Sequence, residues 1–173
     1  MEFVFETSYD QKGLTAMARG LRKTLRKKKS RRSHVFGWAV VVLGLLLSFN
    51  GGDAGFAITF KTVVTWLVVA VMIAALLFED QMNGFFAGKR ILAGSELAVT
   101  TFREDGYRSE TGAGCTDWSY ETVQAIAETG NYFVFLLSKN HAQIYDKTRM
   151  TGGTAEEFRA FITEKSGKTV QAV

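Results

Sequence analysis

Apolar positions follow three different rhythms along this chain. Met1-Glu2-Phe3-Val4-Phe5-Glu6-Thr7 alternates at period two and predicts a strand. Ser8 with Gln11 three residues on reads as a helix start of the capping-box type. Leu14, Met17, Leu21 and Leu25 then recur at spacings of three, four and four, one stripe of an amphipathic helix. Gly13 and Gly20 weaken that helix. Its stripe suits either an interfacial helix on a membrane or a helix packed on a folded domain. From Val35 to Phe78 periodicity disappears into two nearly charge-free runs, and beyond Glu96 the period-two alternation returns.

The first run, Val35–Phe49, is VFGWAVVVLGLLLSF, and the second, Thr62–Phe78, is TVVTWLVVAVMIAALLF. Between Val35 and Phe78 the only formal charges are Asp53 and Lys61. A bilayer core of ~30 Å takes about 20 helical residues. The first run approaches that length through Ser33 and His34 on one side or Asn50-Gly51-Gly52 on the other. The second does so when extended back to Phe56. Trp38 and Trp66 lie near the starts of the runs, as side chains at a bilayer edge do. Asn50–Gly55 is a loop by composition. The expectation is a two-helix transmembrane hairpin over 34–80, with spans of about 34–52 and 56–78. A domain this small has too little mass to cover two helices that are apolar all round. Gly37 and Gly44 fall near one helix face and permit close helix packing. A cleaved signal peptide does not fit, because more than thirty residues precede the first run.

After Phe85–Arg90 the chain reads as a meander. Glu96–Phe102, with Leu97 and Val99 assigned to one face, is followed by the turn Arg103-Glu104-Asp105-Gly106. Tyr107–Glu110, Cys115–Ser119, Val123–Glu128 and His141–Asp146 are further strands. Tyr132–Leu137 is apolar on both faces and predicts a central strand. Thr154 and Glu157 form a capping box for a helix carrying Phe158, Phe161 and Ile162 on one face, with Gly167 as its stop. The fold class expected is therefore an α+β membrane protein. In it a cytoplasmic pleckstrin-homology-like antiparallel β-barrel or sheet, over 91–167, is closed by the C-terminal helix. Residues 1–33 form a strand and a basic helix, and the Phe3/Phe5 strand completes the sheet across the hairpin.

Charge changes the picture more than composition does. Residues 1–33 hold ten basic and three acidic residues, a net +7. Residues 34–78 balance, and 79–173 hold ten basic and thirteen acidic, a net −3. The overall +4 thus describes one segment. Its basic cluster is Arg19, Arg22, Lys23, Arg26, Lys27, Lys28, Lys29, Arg31 and Arg32. Short basic flanks stay cytoplasmic, so both termini are expected in the cytoplasm. The same residues suit anionic lipid headgroups. Nucleic acid is the competing partner for such a segment and is not expected, since the larger folded part is acidic. Arg103, Arg108, Lys147 and Arg149 are candidates for a local basic cluster on the C-terminal domain.

Catalytic chemistry finds little material. Cys115 and Asp117 share a strand face, with His141 as the nearest candidate base, but no oxyanion-type loop accompanies them. Cys115 reads as a small core residue. One Cys and two His are too few for a zinc site, and neither glycine-containing loop has phosphate-loop spacing. Met150-Thr151-Gly152-Gly153-Thr154 precedes a helix N-terminus and offers an anion at most. No catalytic residues, metal or cofactor are expected.

The layout resembles the bacterial YcxB-like membrane proteins. The residues that carry the resemblance are Met1-Glu2-Phe3, Phe102-Arg103-Glu104-Asp105-Gly106, Trp118, Val123, Ile126, Glu128, Tyr132-Phe133 and Glu156-Glu157-Phe158. The family often carries an Ile-Pro-Lys element before its last helix. Here Ile144-Tyr145-Asp146-Lys147 stands in that place without proline. The resemblance implies two spans and a pleckstrin-homology-like domain, and supplies no catalytic residues. The functional expectation is a membrane-anchored, non-catalytic module that presents its domain to a protein or peptide partner. The alternative is an accessory, regulatory or immunity-type subunit of a membrane complex that acts through its helices. Self-association into a homo-oligomer is a further expected contact.

Overall fold

Phe3 and Phe5 alternate with Val4 and Glu6, and the strand they predict forms as β1, Phe3–Ser8, with Phe3, Phe5 and Thr7 buried. In this computed structural model, which describes residues 2–49 and 59–173, β1 is the seam of the molecule. Met1, the expected Asn50–Gly55 loop and the Phe56 start of the second span lie outside the described residues. Ser8 pairs with Leu97 as the last residue of β1, so it cannot cap a helix. Asp10 does so instead: its carboxylate accepts from Gly13 N at 2.8 Å, and α1 runs Gln11–Lys23. Leu14 and Leu21 are buried, and Met17 and Leu25 pack with Leu21 against Val134, Leu136 and Ile144. The stripe therefore packs on a folded domain. Gly13 and Gly20 explain themselves here. A Cβ at Gly13 would stand 2.5 Å from Ile144 Cδ1, and one at Gly20 would stand 3.0 Å from Val134 Cγ1. The helix lies close because these two positions have no side chain.

Helices α2 (Lys27–Phe49), α3 (Phe60–Leu77) and α4 (Glu79–Gly88) follow. Then come β2 (Leu97–Phe102), β3 (Tyr107–Thr111), β4 (Gly114–Trp118), β5 (Ala125–Glu128), β6 (Tyr132–Leu136), β7 (Ala142–Asp146) and β8 (Met150–Thr151). Helix α5 (Ala155–Ser166) and β9 (Val170–Ala172) complete the chain. It divides into two units. One is the segment up to Lys27 together with Asp80–Val173, and the other is Lys28–Glu79.

The first unit is α+β, but the closed barrel expected from the meander is not what forms. Its strands make two sheets, five-stranded in the order β4-β3-β2-β1-β8 and four-stranded in the order β7-β6-β5-β9. After Trp118 a 3-10 turn at Tyr120–Thr122 carries the chain from one sheet to the other, so β4 ends as an edge and does not pair with β5. β9 joins β5 in parallel, in the register Ile126 with Val170. β2 is turned over relative to the expectation. Ala98, Thr100 and Phe102 face inward, while Leu97 and Val99 are the exposed ones. Its partner decides this: pairing Phe3 with Phe102 and Phe5 with Thr100 fixes which alternate set meets the core.

The two-helix transmembrane hairpin is likewise corrected. Among the described residues one helix, α3, is long and apolar enough to cross a membrane. Helix α2 is not, because it begins Lys27-Lys28-Lys29-Ser30-Arg31-Arg32-Ser33. The apolar remainder from Val35 is about 22 Å of helix at 1.5 Å per residue, well short of a ~30 Å core.

The core of the α+β unit is aromatic. Phe158 of α5 lies 4.7 Å from Phe5, 4.9 Å from Phe102 and 5.1 Å from Phe133, ring centre to ring centre, so one side chain touches both sheets. Tyr145 adds contacts to Phe102 at 5.0 Å and Phe135 at 4.8 Å. Helix α5 is fixed at both ends. Thr154 and Glu157 satisfy each other's backbone N–H groups, and Gly167 closes the helix in the left-handed region at φ 64°. On its flank Glu128 of β5 accepts from Arg159 at 2.8 and 2.9 Å and from Lys147 at 2.8 Å. The Arg159 hydrogen bonds, with Lys147 behind them, hold the Glu128 carboxyl below its usual range.

Replacing Phe5 with Ala is expected to cost about 3–5 kcal/mol, although only Phe3 of the aromatic core lies near it in the chain and the next member is Phe102. Chemical denaturation of the purified chain followed by circular dichroism checks this; a loss under about 1 kcal/mol would contradict the seam role of β1. Glu128→Gln should cost about 1.5–3 kcal/mol at neutral pH. Because the folded-state carboxyl is the stronger acid, its contribution is complete above the ordinary value of 4.5 and fades as pH falls through the lowered one. Stability measured from pH 7 down to pH ~3 should therefore fall less steeply in the variant than in the native chain.

Candidate functional site

Helix α3 begins at Thr59, whose hydroxyl accepts from Thr62 N, and carries FKTVVTWLVVAVMIAALL without an acid. Its 18 residues have a mean hydropathy of 2.3, and only 6% of them are buried. Val69 is the covered one, while Leu67, Val68 and Val71 on its other faces are more than half exposed. Within the same unit α2 runs antiparallel to it. A Cβ at Gly37 would stand 2.7 Å from Leu76, and one at Gly44 would stand 2.9 Å from Val69, so both glycines serve close helix packing. Trp66 Nε1 donates to Ser48 Oγ at 2.6 Å, and His34 pairs with Glu79 at 2.5 Å.

The basic cluster divides into two groups. Arg22 grips Asp80 with two hydrogen bonds of 2.6 and 2.7 Å, and Arg19 adds a 3.6 Å contact to the same carboxylate. Arg26 donates to the Lys139 carbonyl at 2.6 Å and to Asn140 Oδ1 at 2.7 Å. These three arginines are occupied inside the α+β unit. Lys23, Lys27, Lys28, Lys29, Arg31 and Arg32 are exposed and make no ion pair among the described residues. Five of them fill the first two turns of α2, where the helix dipole disfavours cations by about 0.3–1 kcal/mol each. Lys28, Arg31 and Arg32 share one helix face with Val35, Phe36 and Ala39, forming a surface that is cationic at one end and apolar at the other.

The four candidates for a second basic cluster are each matched to a different carboxylate. Arg103 lies 3.5 Å from Glu2, and Arg149 lies 3.1 Å from Glu6. Arg108 lies 2.8 Å from Glu110 and 3.8 Å from Asp117, and the Glu110 hydrogen bond raises its already high pKa. Lys147 is held by Glu128. No two of the four share a carboxylate, so they do not gather into one basic cluster.

Cys115 is exposed on the edge strand β4, which corrects its reading as a core residue. Its sulfur accepts from Arg108 Nη2 at 3.2 Å. His141 packs edge-on against Trp118, an alternate position on β4, so Cys115 and Asp117 face away from it. The N-terminus of α5 is already filled, since the Glu157 carboxylate takes the Thr154 N–H at 2.7 Å. Two features escaped the sequence reading. Asp80 is buried to 6% exposure, and nothing local announces its arginine partners 58 and 61 residues away. Met82, Phe85 and Phe86 of α4 are about half exposed, with Lys89 over the Phe85 ring at 4.6 Å. The GFFAGKR stretch was the available signal.

Comparison with known proteins agrees with the resemblance read from the residues. The family model described as YcxB-like protein matches residues 102–162, the stretch from the end of β2 through most of α5. No curated protein and no solved structure matches the chain. The matched segment contains Phe102, Phe133, Phe135, Tyr145 and Phe158, the rings on which the two sheets close, and over that segment the chain is similar to YcxB-like proteins.

Proposed function

We propose that this protein is a membrane-associated, non-catalytic interaction module held at the bacterial inner membrane. The observation that carries the reading is α3, an 18-residue apolar helix of which this chain covers almost nothing. Leaving that surface in water forgoes about 25 cal/mol per Å² of apolar area, and a bilayer supplies the missing cover. The uncompensated cations at the start of α2 favour anionic headgroups, at about 1 kcal/mol per residue near the surface. Their shared face with Val35 and Phe36 suits a lipid that presents a charged head and an apolar tail. Phe85 and Phe86 of α4, each about half exposed, are further apolar surface that the chain leaves uncovered.

The α+β unit is what the anchor presents. Its outer surface is the part offered to a protein or peptide partner, and β1 and α1 belong to it as much as the C-terminal segment does. Removing residues 91–173 would therefore unfold the arm as well, and a partner is better mapped with the full chain carrying single photo-crosslinking side chains.

After carbonate and high-salt washing, the native chain is expected to stay with the membrane pellet. Val68→Glu with Val71→Glu should move it to the supernatant, at a cost on the order of 2.5–3.5 kcal/mol for each charge at mid-membrane. Both side chains are exposed within the chain, so the α+β unit should keep its fold. Release of the native chain by salt alone would defeat the proposal.

A further inference from the structure

A cavity of about 490 Å³ opens in the α+β unit between the Trp118 face of β3 and β4 and the start of β7. Ligand sites typically occupy roughly 300–1,000 Å³. The register of β3 and β4 explains why the space exists. Tyr107 pairs with Trp118, Ser109 with Thr116, and Thr111 with Gly114. The rows on this face pass from two large rings to two hydroxyls, and then to a threonine opposite a residue with no side chain. Burial falls along the same direction, from Tyr107 in the core to the exposed Thr116 and Gly114. The aromatic filling stops at the first row, and the open side of the cavity is a wall of hydroxyls.

Three of the side chains that line it, Arg90, Trp118 and Gln143, have only donors to offer, and no carboxylate is among the lining residues. Gln143 is more than nine-tenths buried, and its Oε1 is already taken by the hydroxyls of Tyr107 at 3.1 Å and Tyr145 at 2.7 Å. Only its amide N–H groups are left to offer. Trp118 Nε1–H is buried and has no acceptor. An unmet buried donor of this kind costs about 1–3 kcal/mol. Arg90 lines the exposed side and forms no ion pair among the described residues, whereas the other arginines of this unit are all engaged with carboxylates or carbonyl oxygens. Beside Arg90 lie Ile91 and Leu92, and across from them the Trp118 and His141 rings meet at 5.8 Å.

We propose that this cavity binds a small organic monocarboxylate with an apolar body. Donors without acceptors call for an acceptor-rich ligand. One guanidinium matches one carboxylate, which it can take through two parallel hydrogen bonds. A phosphate dianion would leave charge unmatched here. The apolar body rests on Leu92 and the Trp118 ring, while the hydroxyls of Ser109 and Thr116 meet polar atoms along the wall. The inference is independent of membrane attachment, since every residue in it belongs to the α+β unit.

The test uses the full chain in zwitterionic nanodiscs with Trp38→Phe and Trp66→Phe, which leaves Trp118 as the sole tryptophan. Trp118 fluorescence is titrated with 3-phenylpropanoate, with its uncharged amide 3-phenylpropanamide, and with inorganic phosphate. The acid should give a saturable change and bind at least about tenfold tighter than the amide, a factor worth about 1.4 kcal/mol. Arg90→Gln, an exposed position, should erase that preference while circular dichroism stays unchanged. Thr116→Leu, which fills the space, should abolish the response to both. The proposal is overturned by any of four results: no saturable change, equal binding of acid and amide, an Arg90→Gln chain that still prefers the acid, or phosphate binding as tightly as the acid.

Discussion

Everything in the α+β unit depends on the contact of the Phe5 ring with Phe158 and Phe102. Phe5 sits on β1, whose two neighbours, β2 and β8, come from the far side of the Lys28–Glu79 excursion. Edge-on contacts between rings of this size add about 0.5–1.5 kcal/mol each to the burial of their area. Phe5 makes such close ring contacts with Phe102, Phe133, Tyr145 and Phe158. The core therefore closes only when the start of the chain has been brought to its later half. The added length of the excursion makes this no great obstacle, since loop-closure entropy grows only with the logarithm of length. The N-terminal arm is thus a structural strand and helix of the unit, and its basic residues have to be read in that setting.

That setting sorts the charges. Arg22 and Arg19 close on Asp80, joining the end of α1 to the start of α4, and Arg26 secures the turn after β6. A buried carboxylate held by a two-pronged guanidinium is a strong constraint, because removing either partner strands the other. These arginines are spent on the fold. The cations that follow them, from Lys27 to Arg32, have no such partners and open a helix whose dipole repels them. One continuous basic run in the sequence is therefore two groups with different work. The first holds the α+β unit together, and the second is available to an anionic surface.

The elements legible in the chain were those that announce themselves locally. The Thr154/Glu157 box and Gly167 stop give α5, the doubly apolar Tyr132–Leu136 run gives the central strand β6, and the Phe3/Phe5 alternation gives β1. What escaped depended on distant partners. β8 and β9 are two and three residues long and exist only because β1 and β5 present free edges to them. Leu97 and Val99 are the greasier alternate set of β2, yet the register with β1 turns them outward and brings Ala98 and Thr100 in. Ser8 looked like a cap until β2 claimed it for the ladder. Cys115 looked like core until β4 proved to be an edge.

By itself the sequence determined that this chain carries an apolar helix it cannot cover, preceded by a dense basic segment and followed by a strand-rich unit ending in a capped helix. These follow from local periodicity, end signals and charge, each read within about a dozen residues. Tertiary structure alone decided which basic residues are free, whether the strands close into a barrel, and where space is left between the sheets. Those outcomes rest on pairings across 58 to more than 140 residues, such as Arg22 with Asp80 and Glu6 with Arg149. No local pattern encodes such a pairing, because the energy that selects it comes from the whole packed core.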